Sequence, residues 1–359
     1  MTSVALPDLV SAVLADAVTA RVTPGGVIEA GTSAGPVCTV AAGHHTYAAD
    51  AATVAPDTIY DLASLTKVLA TATLTLRAHA AGMLPLETRL SARLPGFADR
   101  PDVTVQDLLE HAAGFPAHRP YFRAVAGRAG YLARIAAEPA AYAARTTHIY
   151  TDLGFILLGL MLEDTAGVGL DAQVTHLVRD VAPGADLAYG VRPSWHGRVA
   201  PSGVDPWRGV MVAGHVHDSN AAALGGVAGH AGLFGTAGAV GAFARWWMAR
   251  VSGVGGDAGG IPAWLATRAV SRGDVPASSR GLGWDTMLPT SSCGTRMSAR
   301  AFGHTGFTGT SLWIDPARDL YLVCLTNRVH AADDADGIRR LRVRLHDTVV
   351  DAWDATARR

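Results

Sequence analysis

The stretch Ser64-Leu65-Thr66-Lys67 puts a hydroxyl and an amine three residues apart. On a helix two such residues share a face, so Oγ and Nζ can meet. Serine is a weak nucleophile until a neighbouring base takes its proton, and a lysine one turn away is a suitable acceptor. Lys67 is the only lysine in the chain; apart from histidine, every other basic residue is arginine. Arginine holds its proton at any accessible pH and cannot act as a base. Lysine can, once burial or a neighbouring cation lowers its pKa. The sole lysine therefore points to proton transfer. Two further clusters carry usable chemistry, Tyr150-Thr151-Asp152 and Gly303-His304-Thr305-Gly306.

The elements that must position these residues can be read from periodicity. Leu9, Val10, Val13, Leu14, Ala17 and Val18 give a helix over 8–22, ended by Pro24-Gly25-Gly26. Short β-like runs follow at 27–30 and 37–42. A helix is expected over 64–81 with Gly82 as its C′ residue, so its free N-terminal N–H groups lie beside Ser64. Thr104 and Asp107 form a capping-box pattern for a short helix that stops near Gly114. Tyr150-Thr151-Asp152 opens a helix with an apolar stripe at Leu153, Ile156, Leu157, Leu160 and Met161. Pro183, Pro193, Pro201 and Pro206 make 183–220 loop-like. Residues 221–244 lack Asp, Glu, Lys and Arg but are glycine-rich, and read as buried loop followed by a helix at 243–251. Strands at 311–314 and 320–326 form a hairpin turning at Asp315-Pro316-Ala317-Arg318. Ile338, Leu341, Leu345, Val349 and Trp353 give a C-terminal helix. The expected fold class is α/β. Residues 1–84 and 276–359 build one discontinuous domain, 85–275 a mostly helical one, and the active site lies between them.

The three clusters in this order resemble the motifs of penicillin-recognising serine hydrolases: class C β-lactamases, DD-peptidases and family VIII-type esterases. Supporting stretches are Thr58-Ile59-Tyr60-Asp61-Leu62-Ala63, Leu108-Leu109-Glu110-His111, Gly229-His230-Ala231-Gly232-Leu233-Phe234 and Gly281-Leu282-Gly283-Trp284, and the likeness runs over about 8–355. The resemblance implies an antiparallel sheet flanked by helices. It makes Ser64 the acylated nucleophile, Lys67 its basic partner and Tyr150 the proton relay. The backbone N–H groups of Ser64 and Phe307 would form the oxyanion hole, with Asp152, His304, Thr305 and Gly306 in substrate binding. Which of Lys67 and Tyr150 holds the proton stays open. The chain departs from the β-lactamase pattern twice: His304 stands where lysine is usual, and Asp152 where asparagine is usual. An ionised aspartate only accepts hydrogen bonds, whereas asparagine also donates. Both departures point towards an esterase or D-peptidase-like enzyme. The alternatives are a true β-lactamase or a non-turnover penicillin-binding sensor module.

Composition excludes other classes. Hydrophobic residues are 49% of 359 and charged ones 17%, which rules out a disordered chain. The formal net charge of −1 leaves no electrostatic footprint for nucleic acid or an anionic membrane. The expected partners are small-molecule esters, peptides or β-lactams, with no cofactor and no metal. Cys38, Cys293 and Cys324 fit neither a disulfide framework nor a metal site. The first residues carry no signal-peptide pattern, so a cytoplasmic location is expected. His215-Val216-His217-Asp218 has alternate-residue ligand spacing but no second cluster to complete a metal site. His111 and His230 read as structural. Asp152 has a second possible role as the N-cap of its helix. Trp195 and Trp207 either wall a cleft or anchor their loop.

Overall fold

The computed structural model describes residues 5–254, 259–330 and 334–357. Its strands, in chain order, are β1 (Gly25–Thr32), β2 (Gly35–Gly43), β3 (Tyr60–Asp61), β4 (Leu187–Tyr189), β5 (Val204–Asp205), β6 (Val210–Met211), β7 (Leu233–Gly235), β8 (Asp285–Thr286), β9 (Phe302–Thr305), β10 (Ser311–Asp315) and β11 (Leu320–Thr326). Six of them form an antiparallel sheet in the order β2-β1-β11-β10-β9-β8. The first strand of the chain thus pairs with the last, with Ile28 opposite Cys324, and both termini build one layer.

Side chains alternate across this sheet with the period of two that a strand imposes. On β11, Leu320, Leu322 and Cys324 face one core, and Tyr321, Val323 and Leu325 face the other. Both faces are apolar, so both must be covered. The helices Leu6–Thr19 and Ala335–Ala357 cover the first, and Ala237–Val251 packs on the second. That last helix belongs to the segment expected as a helical insertion. No single helix among the described residues is long and apolar enough to cross a membrane.

Several boundaries differ from the sequence reading for identifiable reasons. The first helix ends at Thr19 rather than near 22, because Ala20 already closes it and Arg21 turns to φ 56°. The helix expected at 243–251 begins at Ala237, where Thr236 accepts the N–H of Ala239. The loop-like 183–220 holds β4, and the glycine-rich 221–244 holds β7; with β3 they form a second sheet, β3-β7-β4. The capping box at Thr104 and Asp107 is present, but its helix stops at Leu109. Leu153–Ala166 is not one-faced: every residue from Leu153 to Leu162 is buried.

The helix after Ser64 continues to Ala80, and Gly82 adopts φ 71° as its C′ residue. Its opening stretch, Lys67–Ala72, is wound as a π-helix. Such bulges frequently accompany functional sites.

Candidate active site

Ser64 sits just past β3, in a turn held by an unusual backbone. Ala63 has φ 47°, a left-handed conformation that costs a non-glycine residue energy. Its N–H donates to Asp61 Oδ1 at 2.8 Å. Asp61 Oδ2 accepts the N–H of His217 at 2.6 Å. Burial pushes the Asp61 carboxyl up to about 6, although both N–H donors work against it. Ser64 itself is half-buried and reachable.

Lys67 is fully buried. Its Nζ lies 3.0 Å from Ser64 Oγ, 2.7 Å from Asp152 Oδ1 and 3.4 Å from the His230 carbonyl oxygen. An ammonium has three donors, and here each finds an acceptor. Burial pulls its pKa down, but the charges of Asp152 and Tyr150 and their hydrogen bonds outweigh this, and the net shift is upward. Burial alone would favour the neutral amine, but the anion beside it favours the charged form.

Tyr150 is half-buried, with Lys67 Nζ 4.9 Å and Arg280 Cζ 5.1 Å from its ring centroid. The rings of His111 and His304 lie 4.6 and 5.8 Å from it. Both imidazoles are neutral. Burial first, then the Arg280 and Lys67 charges, hold their pKa values well below the ordinary one. His111 Nδ1 accepts the N–H of Thr151 at 3.2 Å, while His304 Nδ1 donates to the Thr305 carbonyl at 2.8 Å. His304 is only 2% exposed, so it brings a ring and no charge to the position that the resemblance assigned to substrate binding.

Asp152 opens its helix without capping it. Thr151 Oγ1 accepts the N–H of Leu153 instead, and Asp152 is drawn to Lys67 across 85 residues of sequence. The capping role is thereby excluded.

The third cluster is carried by β9 and the turn after it. Gly306 approaches the turn that carries Ser64 so closely that a Cβ would fall 2.7 Å from the Leu62 carbonyl oxygen. Thr308 Oγ1 donates to the Asp61 carbonyl at 2.8 Å and Thr310 Oγ1 to that of Leu62 at 3.1 Å. From the C-terminal helix, Arg342 donates to the carbonyls of Gly306 and Thr310 at 2.9 and 2.8 Å. Thr305 is half-buried. Phe307 is 55% exposed and stacks on His217, centroids 5.8 Å apart. Among the described residues, no backbone or side chain accepts the N–H of Ser64 or of Phe307.

Asp61, Asp218, Arg280 and Arg342 complete the site and were not singled out from sequence. Asp218 pairs with His230 at 2.9 Å, and despite its burial this partner holds its carboxyl well below the usual range. The signals were at hand for two of them: Asp61 lies three residues before Ser64, and Asp218 lies in the stretch weighed as a metal motif. In the structure that stretch is used otherwise, with His217 against Phe307 and His215 exposed. Trp195 is a buried anchor bonded to Asp186, whereas Trp207 is 46% exposed against Phe122.

The chain matches the Beta-lactamase family over residues 10–346. It is 32% identical over 318 residues to an Escherichia coli K12 protein named "Putative D-alanyl-D-alanine carboxypeptidase", covering 76% of this chain and 70% of that one. Among solved structures, a β-lactamase from Sulfitobacter sp. EE-36 superposes with a TM-score of 0.77 at 19% identity, over 99% of this chain and 100% of the other. EstCE1, described as a hydrolase with promiscuous acyltransferase activity, gives 0.76 at 19% identity, over 96% and 98%. An antiparallel sheet closed by both termini, flanked by helices and matched across nearly the whole chain, is the β-lactamase/transpeptidase-like fold, and this chain belongs to the Beta-lactamase family.

Proposed function

We propose that this β-lactamase-family hydrolase works through an acyl-enzyme on Ser64, with esters or D-amino-acid peptides as substrates. Ser64 Oγ attacks the carbonyl carbon, and its proton passes to Tyr150. The oxyanion is held by the N–H groups of Ser64 and Phe307, both free to donate. Tyr150 returns the proton to the leaving group as the carbonyl re-forms. Water then attacks the acyl-enzyme by the same route and releases the acid and free Ser64. Lys67 stays an ammonium throughout, orienting Ser64 Oγ and compensating negative charge on Tyr150. Thr305 and Gly306 line the substrate's path, while His304 packs Tyr150.

The carrying observation is the Lys67 environment: one hydrogen bond to Ser64 Oγ at 3.0 Å, with the charge fixed by Asp152 at 2.7 Å. The same pair argues against β-lactams as preferred substrates, because Asp152 is engaged by Lys67 and offers no donor to a side-chain amide. The D-alanyl carboxypeptidase name of the E. coli relative supports the peptide arm of the reading. The test is a panel of p-nitrophenyl butyrate, nitrocefin and D-alanyl peptides, with Ser64→Ala as control. Repeated turnover of ester or peptide, lost in Ser64→Ala, is expected. One stoichiometric acylation without turnover would make the protein a sensor, and nitrocefin hydrolysed as well as the ester would make it a β-lactamase.

A further inference from the structure

We infer that Asp61 is a positioning residue that sets the oxyanion hole, an inference that rests on the acyl-enzyme reading above. Its carboxylate accepts the N–H of Ala63 at 2.8 Å through Oδ1 and that of His217 at 2.6 Å through Oδ2. Its main-chain carbonyl accepts the hydroxyl of Thr308 at 2.8 Å. One residue thus joins three segments far apart in sequence: the nucleophile turn, the 215–218 segment and the turn after β9. Ser64 follows Ala63, and Phe307 precedes Thr308, so the two N–H groups of the hole each adjoin a group bonded to Asp61. The ring of His217 then stacks on Phe307, closing the circuit.

The choice of residue is costly. Asp61 is 4% exposed, and among the described residues no cation lies within ion-pair distance of it. The arginine charge that acts on it, Arg208, is committed to Asp205 at 2.7 Å. A buried carboxylate without an ion pair is unfavourable unless its hydrogen bonds are good, and both donors here are main-chain N–H groups. An asparagine could satisfy only one of them, since its amide nitrogen would face the other N–H donor to donor. The second anchored group is also the strained one: Ala63 keeps φ 47° immediately before the nucleophile. A two-pronged anion therefore fixes the conformation that aims Ser64 N–H and Oγ together, and the Thr308 hydroxyl fixes the distance to Phe307. Donors of a preorganised hole lose value with small displacements, so the effect belongs to the transition state rather than to substrate binding.

The experiment compares the unsubstituted protein with Asp61→Asn and Thr308→Val, each normalised to active sites titrated with a fluorophosphonate. Asp61→Asn should lower kcat for p-nitrophenyl butyrate on the order of thirtyfold per titrated site, with KM within threefold. Affinity for phenylboronic acid, whose tetrahedral adduct fills the hole, should fall in parallel. Thr308→Val keeps the branched shape and removes one tie, so a smaller fall of roughly three- to tenfold in the same two quantities is expected. A merely structural residue would reduce the titratable fraction and the melting temperature while leaving kcat per site and boronate affinity unchanged; that result overturns the inference. Absence of any titratable serine in the unsubstituted protein would overturn the acyl-enzyme reading itself, and this inference with it.

Discussion

Two clusters in this molecule hold a cation against carboxylates, Arg145 against three and Lys67 against one. Arg145 reaches Asp107 and Glu110 at 2.7 Å each and touches Asp274. Lys67 reaches Asp152 at 2.7 Å, then Ser64 Oγ and a carbonyl. In both, burial draws the cation's pKa down and acidic partners more than restore it. The first cluster has carboxylates at every contact, and one of them, Asp107, also closes the capping box at Thr104. It braces a helix start, a loop and residue 274. The second spends a donor on a half-buried hydroxyl beside a strained turn. Brace and proposed catalyst differ in the number of acids, three against one. They differ also in that the Lys67 cluster has a serine hydroxyl among its acceptors.

The hardest test of that distinction is Lys67→Arg. Charge towards Asp152 is retained, but three convergent acceptors at ammonium spacing do not fit a planar guanidinium. We expect kcat/KM for p-nitrophenyl butyrate to fall about a hundredfold or more, because Ser64 Oγ and Tyr150, the proposed proton acceptor, both lose the ammonium that orients them. Near-unchanged hydrolysis at an unchanged melting temperature would show that any cation suffices.

Acid separates the two regions by sign. His111 and His304 have folded-state pKa values well below 6.5. As pH falls below about 6.5, the unfolded chain takes up protons that the fold refuses, so stability drops. Glu110 is shifted the other way, raised by burial against the pull of Arg145. Its contribution is present below the unfolded carboxyl pKa and is lost as pH rises through the folded one. His346, buried in the C-terminal helix and pushed down to about 4 by burial, supplies a magnitude. A gap of that size amounts to about 3 kcal/mol when fully developed, and roughly 2 kcal/mol between pH 7 and 5. Urea unfolding should therefore show a stability loss between pH 7 and 5 that is smaller in His346→Gln by roughly that amount, with the raised carboxyls of Asp61 and Glu110 acting in the opposite direction in both proteins. An identical pH dependence in the unsubstituted protein and His346→Gln would mean that this imidazole protonates inside the fold.

How far the sequence anticipated all this differs by kind of signal. Strand pairing at both termini and the helix after Ser64 were legible, because two-residue and 3.6-residue periodicities report burial directly. The start of Ala237–Val251 was not, since its first turns are alanine and glycine and carry no stripe. The convergence of Ser64, Lys67, Tyr150 and His304 could be expected from motif order. The direction of the Lys67 shift could not: it depends on Asp152 turning away from its own helix start, a choice made in tertiary contact. Arg342 escaped because an arginine on a helix of many arginines has no local pattern to betray it, whereas Asp61 stood in the quoted stretch before Ser64 and lacked only the tertiary contact to His217 that reveals its place.

Asp152→Asn sharpens the comparison by converting the Lys67–Asp152 ion pair into a contact between a cation and a neutral amide. Asparagine Oδ1 can still accept from Lys67, so the loss should be moderate, roughly tenfold in kcat/KM for the ester. Its amide now offers a donor, and the nitrocefin-to-ester ratio of kcat/KM should rise by at least as much. If the ratio stays fixed while both rates fall, Asp152 serves Lys67 alone and has no bearing on which acyl groups the site prefers.

The smallest expected effect is the mirror exchange at the brace, Arg145→Lys. A guanidinium spans three carboxylates because its donors fan out in a plane; an ammonium is a point charge that reaches fewer of them. Asp107 and Glu110 are 3% and 4% exposed, so whichever loses its partner remains desolvated. Arg145 itself is 34% exposed, and solvent screening offsets part of the loss. The expected cost is about 1 kcal/mol in urea unfolding, with kcat/KM for p-nitrophenyl butyrate within about twofold of the unsubstituted enzyme. The two exchanges then form a crossed pair: lysine to arginine at residue 67 moves rate far more than stability, and arginine to lysine at residue 145 moves stability and leaves rate alone. Should Arg145→Lys instead depress kcat as deeply as Lys67→Arg at full stability, the acids around Arg145 would have to act on the catalytic groups through Glu110 and the adjoining His111, and the division between brace and catalyst would fail at that point.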